Sequence, residues 1–144
     1  MARILILQDE PSWNAALYRC LVAHHELVVT DSSNAAILAL HKESFNLVIS
    51  RVHLQSEDVF GFLKMIKSDP VIAHIPVVCF CGLRTRIAQF ANNTLETVSR
   101  MFGADAYLSI EDFCVGDNCD LESMRSAIES VMNIDKRKAS HEGV

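Results

Sequence analysis

Short apolar runs alternate with amphipathic stretches along this chain, and that alternation restricts its fold more than any other feature. Arg3 to Leu7 is a short apolar run, as expected of a strand buried on both faces. Trp13, Ala16, Leu17, Cys20 and Leu21 then recur at i, i+3, i+4, i+7 and i+8, one stripe on a helix. Glu26 to Thr30 is rich in β-branched residues and reads as a strand. Asp31-Ser32-Ser33 offers N-caps to a helix carrying Ala36, Ile37, Ala39 and Leu40. Phe45 to Ile49 reads as a third strand. Val59, Phe60, Leu63, Ile66 and Lys67 follow at helical spacing and stop before Asp69-Pro70. Pro76 to Cys81 is a fourth strand, ended by Gly82. The next helix is expected over Leu95 to Phe102, with Asn92-Asn93-Thr94 as its cap region and Gly103 as its stop. Leu83 to Asn93 then reads as an enlarged connection. Ala106 to Leu108 is a fifth short strand, and Leu121, Met124, Ala127, Ile128, Val131 and Met132 mark the last helix. Residues 136–144 read as a polar, fraying tail behind a single domain over 1–135.

Five strands and five helices in alternation predict an α/β, doubly wound parallel sheet. The chain has 144 residues, 50% of them apolar, which suits one domain with a sizeable core and excludes disorder. Its net charge of −5 provides no electrostatic footprint for general nucleic-acid or anionic-membrane binding. No apolar run approaches the ~20 residues of a membrane helix. The opening run, ended by Gln8-Asp9-Glu10, is too short for a signal peptide. Five cysteines, odd in number and irregularly spaced, suit a reducing cytoplasm. In doubly wound sheets the site lies beyond the carboxyl ends of the strands. The residues there are Gln8, Asp9 and Glu10; Ser50, Arg51 and His53; Cys81 and Gly82; Ser109 and Ile110.

From about Ala2 to Met132 these segments resemble the receiver domain of two-component response regulators. Leu5 to Pro11 is similar to the family's first strand, which ends in acidic residues before Pro. Asn46 to Leu54 falls on the third-strand motif that carries the phosphoacceptor Asp. Ser68-Asp69-Pro70, Ala73 to Val78 and Gly103 to Leu108 match the connecting segments. The resemblance implies the strand order 2-1-3-4-5.

The pocket chemistry departs from the family. Arg51 stands at the phosphoacceptor position and cannot form an acyl phosphate. Gln8 replaces one of the carboxylates that would hold Mg²⁺, leaving Asp9 and Glu10, so Mg²⁺ binding is expected to be weak or absent. Cys81 stands for the Thr or Ser that reads the phosphoryl group, and Ile110, before Glu111, stands for the Lys. Tyr107 keeps the aromatic-switch position. Ser50 should point away from the pocket. His53 shares the side of Arg51 but lacks a metal cage or a Lys to stabilise transferring charge. Arg51 either pairs with Asp9, filling the cation's place, or reaches to solvent unpaired.

Cys79 and Cys81 share one strand face and read as core. Cys114 and Cys119 flank a Gly116-Asp117-Asn118 turn and form a possible redox pair, although the spacing fits no zinc or thioredoxin motif. No helical His pair, P-loop or G-x-S-x-G is present, so neither metal nor enzyme activity is expected. Arg84, Arg86, Ile87 and Phe90, beside Tyr107, form either a partner face or a plain surface insertion. The resulting expectation is a stand-alone, cytoplasmic, atypical receiver that needs no cofactor. It would contact protein partners or a second copy through the helix 4–strand 5–helix 5 face. The alternative is a ligand or redox sensor using the vacated pocket or the Cys114/Cys119 loop. A third reading is a domain from a longer protein.

Overall fold

The structure, a computed structural model, describes residues 1–10 and 15–142, with side chains through 132. Trp13, counted above in the first helical stripe, lies outside the described residues, as do Pro11 and Ser12. The chain runs β1 (Arg3–Leu7), α1 (Ala15–Leu21), β2 (Glu26–Thr30), α2 (Ser33–Lys42), β3 (Leu47–Arg51), α3 (Val59–Lys67), β4 (Val77–Cys81), α4 (Arg86–Met101) and β5 (Ala106–Ser109). A 3-10 turn (Ile110–Asp112), a two-stranded hairpin of β6 (Cys114–Val115) and β7 (Asn118–Cys119), and α5 (Leu121–Glu142) complete it.

The five main strands are parallel and ordered β2-β1-β3-β4-β5. Alternate side chains of each central strand enter two apolar layers. Leu5, Leu7, Val48, Val77 and Cys79 meet α2, α3 and α4, while Ile4, Ile6, Ile49, Val78 and Phe80 meet α1 and α5. Cys79 and Cys81 are fully buried, as their reading as core requires. Ser32 caps α2 by accepting from the Ala35 N–H at 3.1 Å, and Asp58 caps α3 through Phe60.

Three expectations are corrected. First, α4 begins at Arg86 and not at Leu95, so most of the enlarged connection is helix. The Thr85 hydroxyl accepts from the Ala88 N–H and caps it, and Asn92 and Asn93 lie inside the helix rather than at its cap. Gly103 does stop it, at φ +104°. Second, β3 extends past Ile49. Ser50 and Arg51 still pair with Cys79 and Phe80, because register continues where apolar composition ends. Third, α5 continues through Glu142, over most of the stretch read as a fraying tail, where Lys, Arg, Ala and Glu all favour helix. Among the described residues no helix is long and apolar enough to cross a membrane.

Candidate functional site

Parallel pairing sets the ends of β1 and β3 side by side, with Leu7 opposite Ser50. The residues just beyond, Gln8, Asp9 and Glu10, therefore meet Arg51. Its Nη1 lies 3.1 Å from Glu10 Oε2 and 3.6 Å from Asp9 Oδ1, and the Arg51 and Asp9 side chains are each 6% exposed. The guanidinium thus stands between both carboxylates, nearer Glu10 than Asp9, the partner expected from sequence. These are ion pairs without hydrogen-bond alignment, since Arg51 Nε and Nη1 and Asp9 Oδ1 find no hydrogen-bond partner among the described residues.

The other oxygen of Asp9 is fully engaged. Its Oδ2 accepts from the backbone N–H groups of Gln55 (2.7 Å) and Ser56 (2.9 Å) and from the Ser56 hydroxyl (3.2 Å). Burial pushes the Asp9 carboxyl up, but the Ser56 and Gln55 donors, with Arg51, outweigh it and hold the group below its usual range. Gln55 Nε2 also donates to Glu10 Oε2 at 3.1 Å. Sequence reasoning missed Gln55 and Ser56. Their one visible signal is the polar run Gln55-Ser56-Glu57-Asp58 before α3. Glu57 of that run accepts from the Ser33 N–H at 2.8 Å and from the Ser33 hydroxyl, tying the same loop to the start of α2.

His53 lies one loop step beyond Arg51. Burial, then the neighbouring guanidinium, lowers its pKa, which favours the neutral ring; Nε2 has no hydrogen-bond partner among the described residues. Gln8 likewise buries an unpartnered Oε1, while its backbone N–H donates to Thr30 O at 3.0 Å. Ser50 is fully buried with its hydroxyl donating to Arg51 O at 3.1 Å, pointing away from the carboxylates as strand alternation requires. Cys81 is buried, and its Sγ lies 3.8 Å from Leu83 O. Ile110 packs into the layer shared with α1 and α5 and does not join the pocket.

Tyr107 stands apart from Phe90, Arg84 and Arg86, the surface residues expected beside it. It is buried in the α2–α3–α4 layer and its hydroxyl donates to Asn92 Oδ1 at 2.7 Å. Burial, then Cys81, raises its pKa. Phe90, by contrast, is 87% exposed, and Ile87 beside it is 83% exposed. Arg86 opens α4, whereas Arg84 reaches across to the hairpin and donates to Gly116 O. In that hairpin Cys114 and Cys119 are bonded, paired across β6 and β7 with Cα atoms 4.0 Å apart. Gly116 takes the left-handed conformation, φ +59°, that such a tight turn needs.

No protein-family model matches the chain. The response regulator protein FleR of Pseudomonas aeruginosa is 35% identical over 78 residues, 54% of this chain; the chain spans 16% of the length of that curated relative. Among solved structures, response regulator Rcp1 in its Mn²⁺-bound form is similar at TM-score 0.63 and 23% identity, over 90% of this chain and 93% of that one. The signal receiver domain of a histidine kinase from Syntrophus aciditrophicus is similar at TM-score 0.68 and 19% identity, over 92% and 91% of the two chains. The fold is that of response regulator receiver domains, with the strand order the sequence resemblance implied.

Proposed function

We propose that this chain serves cytoplasmic two-component or phosphorelay signalling as a phosphorylation-independent receiver-type module, acting by protein contact and not as an enzyme. One observation carries the reading: the buried Arg51 guanidinium 3.1 Å from Glu10 and 3.6 Å from Asp9. Acyl phosphate formation needs a carboxylate at this strand end, and Arg51 supplies none. A hard divalent cation needs several oxygen ligands. Here a fixed positive charge already stands between the two carboxylates, so the donor set does not fit such an ion. The neighbours offer no substitute acceptor. The Ser50 hydroxyl faces away, and a phosphoryl group on His53 would meet neither Lys nor metal to stabilise it. The Arg51 guanidinium ties the ends of β1 and β3 together without metal or phosphate, which leaves binding to partners as the means of signalling. Ile87 and Phe90, exposed three residues apart on α4, offer apolar surface to a protein partner or a second copy, a contact expected through the helix 4–strand 5–helix 5 face.

A two-dimensional amide NMR titration with Mg²⁺ and beryllofluoride, a phosphoryl mimic, tests the reading. Resonances of Asp9, Arg51, Cys81 and Tyr107 should stay unshifted. Saturable shifts at these residues would overturn it.

A further inference from the structure

We propose that the Cys114–Cys119 hairpin is a dithiol-reducible clasp that, when oxidised, anchors the start of α4 through Arg84. The hairpin stands between β5 and α5, and each of its strands has only two residues. A ribbon so short is not stable alone in water, so the cross-link is what keeps its turn in place. The Gly116 carbonyl of that turn accepts from Arg84 Nη1, and Arg84 Nη2 lies 3.8 Å from Cys119 Sγ. Arg84 immediately precedes Thr85, whose side chain caps α4. A second tie runs parallel: Gln89 Nε2 donates to Glu111 Oε1 at 2.6 Å, joining the first turn of α4 to the 3-10 turn before the hairpin. The oxidised hairpin therefore fixes the carbonyl that holds the β4–α4 connection, next to the exposed Ile87 and Phe90.

The two sulfurs are set up differently. Cys114 is 8% exposed and packs into the layer of Ile110 and Met124, whereas Cys119 is half-buried, with the Arg84 guanidinium beside it. A dithiol reductant would attack Cys119 Sγ. The S–S bond breaks, and its electron pair leaves on Cys114 Sγ, which takes up a proton. The second thiolate of the dithiol then attacks the mixed disulfide, closes its own S–S bond and expels Cys119 Sγ as a thiolate, which the neighbouring guanidinium favours. Two electrons pass to the protein, and the dithiol becomes a disulfide. A low-molecular-weight disulfide reverses the exchange, starting from the Cys119 thiolate. Cys20, Cys79 and Cys81 are buried away from this chemistry, and burial pushes the Cys20 and Cys79 thiols up to about 11. A bond of this kind in a reducing compartment belongs to the class that forms and opens in response to redox state.

The test uses the full chain after oxidised glutathione and after dithiothreitol, with native-state alkylation read by mass and amide exchange read residue by residue. Alkylation should add to Cys114 and Cys119 only after reduction. On reduction, exchange at Ala88 and Gln89 should rise by about tenfold and return on reoxidation. Oxidised Arg84→Ala should show the fast rate already and change no further when reduced. Labelling of Cys114 and Cys119 after glutathione treatment would overturn the proposal. So would an exchange increase confined to residues 114–119, or an Arg84→Ala protein that still responds at Ala88 and Gln89. No phosphoryl probe or metal enters the experiment, so its failure would leave the reading of the Arg51 pocket untouched.

Discussion

Arg51 and Asp9 are buried together, each side chain 6% exposed, so removing one leaves the other's charge desolvated. Breaking a buried ion pair from one side costs more than the pair contributes net, because the orphan keeps its desolvation penalty. Arg51→Ala should therefore lower stability by about 3 kcal/mol in urea unfolding at neutral pH. An unchanged midpoint would mean that the guanidinium balances nothing. Asp9 gives the same contact a pH signature. Its folded pKa lies below the ordinary 3.8, so the ionised form is favoured by folding. The stability from this group is fully present above the unfolded value and is lost as pH falls through the depressed folded one. Between about pH 4 and the folded pKa the wild type should lose stability that Asp9→Asn does not. Parallel acid-unfolding curves for the two proteins would refute that assignment.

Helix α4 shows what junctions do for an element. Gly103 ends it at φ +104°, and a Cβ there would come within 2.6 Å of Lys67 Cγ. Lys67 cannot swing clear without leaving the carbonyls of Ala73 and Ile75, each 3.1 Å from Nζ. Gly103→Ala should cost about 1–3 kcal/mol, read as a lowered denaturation midpoint, with backbone strain as the main cause. That stop was visible in the sequence, because glycine after a helical stretch has a steric meaning. The start was not. Asn92 and Asn93 have weak helix propensity and read as a cap, yet tertiary context overrides them, and Asn92 accepts from the buried Tyr107 hydroxyl. Thr85 was available as a cap, and Ile87, Phe90 and Ala91 follow it at helical spacing, but Ile87 and Phe90 face solvent, so that spacing marked no core-facing stripe. The central strands β1, β3 and β4 were legible as apolar runs buried on both faces, whereas the half-exposed edge strand β2 was legible from its β-branched residues. Arg51 fell outside the third run because charge, not pairing, ended the pattern. At the site, Arg51 and Asp9 could be placed together from strand order alone. The donors from Gln55 and Ser56 could not, since backbone N–H groups leave no trace in side-chain identity.

At the scale of the whole molecule, one sheet serves both apolar layers, with Leu5 and Leu7 facing one side and Ile4 and Ile6 the other. Neither layer can melt while the other keeps the strands in register, so the domain should unfold as one unit. The hairpin lies outside that sheet and pairs only with itself. Its bond joins residues five apart in sequence, so reduction restores loop freedom to the unfolded chain worth about 2 kcal/mol and removes no strand pairing from the sheet. Dithiothreitol should accordingly lower Tm by about 5–8 °C while calorimetry still shows a single transition. The two consequences separate the roles of sheet and hairpin. A Tm unchanged by reduction would mean that the hairpin closes without its cross-link, leaving the bond no part in stability. A second, earlier transition would mean that the α1–α5 layer, where Cys114 packs, depends on the bond for its own integrity. With a single, lowered transition, the hairpin is an attachment to a fold that stands without it. An attachment of that kind can change state while the sheet, and the Arg51 pocket at the carboxyl ends of its central strands, keep their geometry.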